Sequence, residues 1–402
     1  MMETLCFLFT TTFFPPYHIG GDATHVYHLS CELAKRGHEV HVIHSLDSYY
    51  WQKKGNPEAS QYPIPDNVII HPLKSPIGGA ESVISYLSGI PFSLRHNFFR
   101  ILKEVKPDIL HHHNIAGFGP WVFGLDAPIK LYTAHDHWLI CQMNGCLDFR
   151  NRLCYNPSIC AICSILSGKP PQFWRYTNYL QKNLQNIDTI ISPSEYLKKR
   201  LIESGISVPI TVIPNFIPEP SEPGPPIFNY PYFLFVGVIE RHKGILDLVN
   251  TFIQLRDKTE RKLLIAGNGS LRQNIEDIIS RNNFGQKIIM LGRVEESILS
   301  NLYSYADALI IPSQFYENCP MVALEALAHG TPIITSDVGG LPEITRKLDP
   351  GLIFTTPENF RTILLLYNQK KPFMISQCKD IFNLDYSTKN VDQYLKLILS
   401  EG

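Results

Sequence analysis

The stretch 308-ALIIPSQFYENCPMVALEALAHGTPIITSDVGGLPE-343 decides how the chain is read. An apolar run, Ala308–Ile311, stops at Pro312. A polar loop carries Glu317, Met321–His329 repeats apolar residues at helical spacing, and a second apolar run covers Ile333–Thr335. Strand, loop, helix, strand is a βαβ unit, the building block of a parallel sheet. Pro320 sits where a helix begins, a favoured first-turn position for proline. Glu325 follows Glu317 by eight residues. At ~1.5 Å per residue the pair spans at most ~12 Å if wholly helical. That suits one extended ligand with hydroxyls at both ends and phosphates between, because a helix N-terminus offers amides and a positive dipole end to an anion.

The same alternation runs outward in both directions. Upstream, strands are expected at Tyr232–Val236, Leu263–Ala266 and Ile288–Leu291, with helices at Gly244–Gln254, Leu271–Ile279 and Glu295–Tyr303. Downstream, Val391–Leu399 is helical in pattern. Before Tyr232, the segment from Pro214 to Pro231 holds seven prolines and forms neither helix nor central strand, so it reads as a stiff linker. Ahead of the linker the alternation appears a first time. Strands are expected at Thr4–Thr10, Val40–His44, Val68–His71, Asp108–His113, Ile129–Thr133 and Thr189–Ser192. Helices are expected from Gly20-Gly21 to Gly37, at Phe98–Val105, and at Glu195–Glu203 capped by Ser194. The fold class is therefore α/β, with two doubly wound domains. The expected division is 1–213, a linker at 214–231, a second domain at 232–372, and a helical tail at 373–402 packing back towards the first domain.

The 402 residues are 44% hydrophobic and 18% charged, an ordinary globular balance. Lys and Arg total 36 against 37 Asp and Glu, a net charge of −1 that argues against holding duplex nucleic acid by bulk charge. No apolar run reaches the ~18 residues of a spanning helix. The apolar start carries Glu3 and no Lys or Arg, unlike a secretory signal, so a reduced cytoplasmic setting is expected. Nine cysteines in a chain this long do not make a disulfide scaffold, yet five fall between Cys141 and Cys163.

Three motifs carry the chemistry. The frame Pro312-Ser313…Glu317-Asn318-Cys319-Pro320-Met321-Val322…Glu325-Ala326…Gly330-Thr331-Pro332…Gly339-Gly340-Leu341-Pro342-Glu343 resembles that of glycosyltransferase family 4, retaining enzymes of the GT-B architecture. The segment Phe235-Val236-Gly237-Val238-Ile239-Glu240-Arg241-His242-Lys243-Gly244 is similar to the family stretch that brings an Arg and a Lys to a diphosphate. The family's Arg directly after the glycine is Val238 here, with Arg241 three residues on. Ala266-Gly267-Asn268-Gly269 is similar to a Gly-x-Gly turn near the nucleotide base, and reads equally as a tight βα turn.

The resemblance covers nearly the whole chain. It implies two Rossmann-like domains facing a central cleft, the first binding acceptor and the second a nucleoside-diphosphate sugar. Donor contacts would fall to Gly20, Gly21, Gly237, Gly267, Gly269, Asn318, Cys319, Met321, Val322 and Glu325. Roles in catalysis would fall to His135, Lys243, Arg241 and Glu317, with Glu317 holding the transferred sugar and Glu325 the ribose. His111, His113 and Asp136 would lie on the acceptor side. In the strand Asp108–His113, His111 and His113 share one face and His112 takes the other.

The implied activity moves a hexosyl unit, with retention, onto a hydroxyl of a glycan or lipid-linked acceptor. No cofactor is required for catalysis, and there is no nucleic-acid partner. Peripheral contact with the inner membrane face stays open, through a stretch such as Tyr196-Leu197-Lys198-Lys199-Arg200. Two other readings keep the fold: a nucleotide-sugar 2-epimerase, and a non-catalytic nucleotide-sugar-binding subunit, which the loss of the usual Arg at Val238 favours.

The cysteine cluster Cys141-x4-Cys146-x7-Cys154-x5-Cys160-x2-Cys163 follows His135-Asp136-His137-Trp138. Its Cys-x2-Cys has structural-zinc spacing, and a metal-stapled loop stands here beside free thiols or a local disulfide. A subset of the family resembles this insert.

Overall fold

A computed structural model describes residues 4–53, 55, 57, 62–150, 152, 154, 160–255, 258–367 and 372–401. The chain divides into two compact units, 1–215 with 390–402, and 216–389.

The first unit holds a sheet of seven parallel strands: β1 (Cys6–Thr10), β2 (Glu39–Ser45), β3 (Val68–Leu73), β4 (Ile109–His112), β5 (Ile129–Thr133), β6 (Thr189–Ser192) and β7 (Ile210–Val212). Their order across the sheet is β3-β2-β1-β4-β5-β6-β7. The second unit holds six: β8 (Tyr232–Val236), β9 (Lys262–Ala266), β10 (Ile288–Gly292), β11 (Ala308–Ile311), β12 (Ile333–Ser336) and β13 (Ile353–Phe354), in the order β10-β9-β8-β11-β12-β13. In both sheets the strand order reverses once, between β1 and β4 and between β8 and β11. In doubly wound sheets that switch point is where ligands sit, outside the carboxyl ends of the strands.

The central strands are apolar without alternation because helices cover both faces. Phe7, Leu8 and Phe9 are all buried, as are Phe233, Leu234, Leu309 and Ile310. The helix Ile245–Leu255 shows the complementary pattern, burying Ile245, Leu248, Val249, Phe252 and Leu255 on one stripe. Helix Glu195–Glu203 starts where Ser194 accepts a hydrogen bond from the Leu197 amide, and helix Gly21–Lys35 ends before Gly37 at φ 90°.

Several expectations need correction. β1 begins at Cys6, not Thr4, and Met1–Glu3 lie outside the described residues. Pro320 is the residue preceding the helix Met321–Ala328 and has extended ψ, so Glu317 to Pro320 is not helical and the ~12 Å helical bound does not apply. The expected tail splits. Helix Pro372–Asp385 belongs to the second unit, while Asn390–Glu401 joins the first. There, Tyr394 meets His111, Arg36 pairs with Asp392, and Thr189 donates to Glu401.

The proline-rich linker is no free spacer. Phe216 and Ile217 are buried in the second unit. Asn301 accepts from the Ile227 amide and donates to the Gly224 and Pro225 carbonyls. Several elements were not expected, among them β7, helix Gly79–Ser88, helix Leu341–Leu348 and helix Pro357–Leu366.

Candidate active site

In the second unit, the loops after β8 and β11 meet at the switch point. Gly244 has φ 70°, and a Cβ there would lie 1.7 Å from the Pro312 carbonyl oxygen, so only glycine lets the two loops touch. The His242 carbonyl accepts from the Gln314 amide at 2.9 Å. This contact carries Lys243 to Glu317, with Nζ to Oε1 at 2.5 Å. Ser313 also donates to that carboxylate at 3.2 Å. On its other side, the Glu317 backbone carbonyl accepts from the Gly340 amide, and Gly339 at φ 67° packs against it. Glu317 is thus fixed by Lys243, Ser313 and the Gly339-Gly340 turn, three pieces of chain separated in sequence.

Arg241 is exposed at the head of the short turn Arg241–Lys243, and Val238 is half exposed. Gly267, at φ 144°, abuts the Gly237 carbonyl, where a Cβ would sit 1.9 Å from the oxygen. Gly269 packs closely on the Ile239 backbone as well. The Ile239 amide donates to the Asn268 carbonyl at 3.0 Å. These glycines are therefore required by loop packing itself, whatever ligand lies beyond.

Asn318 and Cys319 are buried in the loop that leads into the next helix. Pro320, which precedes helix Met321–Ala328, has no capping side chain, and the Ala323 amide donates to its carbonyl at 3.0 Å, so an anion at this helix start would meet the amides of Met321 and Val322. Glu325 lies about 6 Å along the helix from Met321 at ~1.5 Å per residue. One of its carboxylate oxygens accepts from the Tyr303 hydroxyl at 2.6 Å, and burial raises its pKa despite that bond. Tyr303 is buried and stacks on His329, which is bonded to Ser300.

In the first unit, the loops after β1, β4 and β5 converge in the same way. Gly20, at φ 89°, precedes helix Gly21–Lys35. Asp22 in the first turn accepts from Asn114 at 2.6 Å, and Asn114 is bonded to Thr12. His135 lies beside this group. Its Nε2 is 3.1 Å from His113 Nδ1, and its ring meets that of His25 edge-on at 5.3 Å.

Burial holds His135 down to about 4 against the pull of Asp22, so the imidazole is neutral at pH 7. Burial pushes Asp136 up to about 7, even though its carboxylate accepts from the Trp138 amide. A neutral imidazole can both donate and accept hydrogen bonds, as holding a sugar hydroxyl requires.

Both ring nitrogens of His111 are engaged inside the unit, Nδ1 with Tyr394 at 2.9 Å and Nε2 with Thr133 at 2.8 Å, and the residue is 1% exposed. It ties the C-terminal helix to β4 and β5, a structural role that the sequence pattern does not announce. The two faces of the strand are as expected: His111 and His113 pack together on one side, and His112 bonds Thr10 on the other. Tyr196–Arg200 lies on a helix that buries Leu197 and leaves Lys199 exposed.

Asp22, His25, Asn114 and Tyr303 escape the sequence analysis. Asp22 and Asn114 are 92 residues apart, and no local spacing announces such a pair. Asp22 follows the Gly20-Gly21 turn directly, which is the one available signal. Among the described residues, no helix is long and apolar enough to cross a membrane.

Comparison with known proteins gives two matches to family models. Residues 19–219, half of the chain, match Glycosyltransferase Family 4, and residues 222–366 match Glycosyl transferases group 1. A glycosyltransferase of Methanocaldococcus jannaschii, itself uncharacterised, is 40% identical over 126 residues, a stretch that is 31% of this chain and 32% of that one. Among solved structures, a sucrose-phosphate synthase from Thermosynechococcus elongatus superposes with a TM-score of 0.73 at 18% identity, covering 99% of this chain and 100% of that one. HepE from Anabaena, solved with UDP and glucose, gives 0.66 at 15% identity over 99% and 100%.

Proposed function

The chain belongs to glycosyltransferase family 4, and from that premise we propose that it moves a hexosyl unit, with retention, from a nucleoside-diphosphate sugar to a hydroxyl of a glycan or lipid-linked acceptor. The observation that carries the reading is the Lys243–Glu317 pair, locked between two glycine-pinned loops at the ends of β8 and β11. The cation faces a developing diphosphate charge, and the carboxylate beside it accepts sugar hydroxyls. Both groups are held before the donor arrives, which is what electrostatic catalysis requires. The crystallised relative with UDP and glucose has the donor chemistry that this pair suits.

In the proposed reaction the bond from the sugar's anomeric carbon to the diphosphate oxygen breaks. The acceptor oxygen bonds to that carbon on the same face, and the acceptor proton passes to the departing diphosphate. Lys243 and the first-turn amides of Met321 and Val322 offset the charge on the leaving group, with Arg241 reaching in from the exposed turn. Glu325, anchored at one oxygen by Tyr303, binds the ribose hydroxyls. His135 and Asp136, with Asp22 beside them, orient the transferred sugar and acceptor. His113 acts through His135, and Gly20-Gly21 allow close backbone approach.

Exposed apolar side chains at Ile162, Ile165, Leu166, Phe173 and Tyr176 favour an acceptor with a lipid part. Incubation with nucleotide-sugar donors and candidate acceptors, followed by NMR of the anomeric proton, tests the reading. A glycoside of the donor's own anomeric configuration is expected. An inverted product would contradict retention, and an epimerised donor formed without acceptor would make the protein an isomerase.

A further inference from the structure

Four of the insert's sulfurs surround one small cavity. Cys141, Cys154, Cys160 and Cys163 line a space of about 20 Å³ together with Gln142, Met143, Leu147 and Asp148. That is room for one water-sized body. The four come from separate pieces of chain: the turn after Trp138, the hairpin in which the Cys154 amide donates to the Cys146 carbonyl, and the first turn of helix Cys160–Leu166. Among the described residues no disulfide joins any of the nine cysteines. Between Cys141 and Cys160 no described residue belongs to a helix, and none is in a sheet strand, so backbone structure alone does little to hold these sulfurs together.

A second observation points to negative charge at this spot. Arg175 is largely buried against Trp138 and Trp174, its guanidinium 4.3 Å from the centre of the Trp174 ring. It donates to the Trp138 and Leu139 carbonyls and to Gln172. Among the described residues no carboxylate forms an ion pair with it. A buried cation without an anionic partner is costly.

We propose that Cys141, Cys154, Cys160 and Cys163 bind a structural zinc ion, with Arg175 balancing part of the negative charge of the tetrathiolate centre. Four thiolates around a divalent ion leave a net negative charge, which supplies the anion that Arg175 lacks. The donor set is all sulfur, and its Cys-x2-Cys half sits on a helix start, as in structural zinc sites. Cys146 does not line the cavity and lies outside the ligand set.

A tetrahedral centre with Zn–S near ~2.3 Å needs sulfurs about 3.8 Å apart. Among the described residues, the trio of donor atoms lying within 4.8 Å of one another is Cys6, Glu39 and His41, at the amino ends of β1 and β2. The insert's sulfurs are spread more widely, so zinc must draw turn, hairpin and helix inward. This would stiffen the loop that carries His135 and Asp136, because the Cys141 amide donates to the His137 carbonyl.

The test is metal analysis of the full-length protein after gel filtration. One zinc per chain is expected, released when an organomercurial titrates the thiols of the intact protein. Cys160→Ser with Cys163→Ser should lose the zinc, while Cys31→Ser should keep it. Since the double variant could misfold, mercurial release from the unaltered protein stands as the independent measurement. Protein without stoichiometric zinc whose insert thiols all react with Ellman's reagent in the native state would overturn the proposal. So would a Cys141–Cys146 disulfide, or iron–sulfur absorbance in place of zinc.

Discussion

Glu317 and Lys243 each spend their charge on the other until a ligand intervenes. A Glu317→Gln variant should lower kcat by roughly 10²–10³, the size seen when one preorganised charged or polar group is removed from a reacting centre. Steady-state kinetics with saturating donor checks it. Removing Lys243 should weaken nucleoside-diphosphate binding as well, because the diphosphate is its proposed partner. Gly267→Ala separates packing from binding. Its Cβ would overlap the Gly237 carbonyl, and the backbone sits in a region that disfavours side chains, so the melting temperature should fall even without ligand. An unchanged melting temperature with lost donor binding would mean that Gly267 serves the ligand alone.

The helix Met321–Ala328 joins two of the site's functions, an open first turn for phosphate and Glu325 one turn further on. Tyr303 reaches Glu325 from the neighbouring helix Glu296–Tyr305. Tyr303→Phe should therefore raise the donor KM by roughly 10-fold, the worth of one hydrogen bond to a charged group, and leave kcat nearly unchanged. Kinetics over a range of donor concentration decides it.

At this scale the sequence is most legible where burial is most uniform. Tyr232–Val236 and Ala308–Ile311 match their strands to the residue, since a strand covered on both faces is a plain apolar run, and Ile129–Thr133 and Thr189–Ser192 match as well although Lys130, Thr133, Thr189 and Ser192 interrupt theirs. Helix Gly79–Ser88 is hidden because it opens on Gly78-Gly79, which reads as a turn, and β7 because three residues beside Pro209 carry too little pattern. The site's frame from Pro312 to Glu343 is legible as a motif. Its long-range partners are not: Tyr303 for Glu325 and Asn114 for Asp22 are set by the sheet's topology, which no local window contains.

Over the whole molecule, thirteen of fifteen histidines lie in the first unit, and many are buried without charge. Burial holds His28, His44, His135 and His137 down to about 4 and His112 to about 3. Between those values and ~6.5 the unfolded chain binds more protons than the native one, so stability rises with pH across this window and is lost on acidification. Asp136 works the other way: held neutral up to about 7, it contributes stability that is complete below ~4 and fades as pH rises through its folded value. The histidines outnumber it. Acidification from mildly alkaline pH to about 5 should cost the first unit several kcal/mol, at up to about 2 kcal/mol per group, and the second unit far less. Limited proteolysis at the two pH values, read by mass spectrometry, should show cleavage entering 1–215 first.

Whether the Lys243–Glu317 loops hold a nucleoside diphosphate is read from hydrogen exchange of the intact protein with and without that ligand. Exchange should slow in peptides spanning Gly237–Gly244 and Ser313–Glu325, and Lys243→Ala should abolish the effect. Slowed exchange confined to other segments, or none with any nucleoside diphosphate at saturating concentration, would contradict a diphosphate site there.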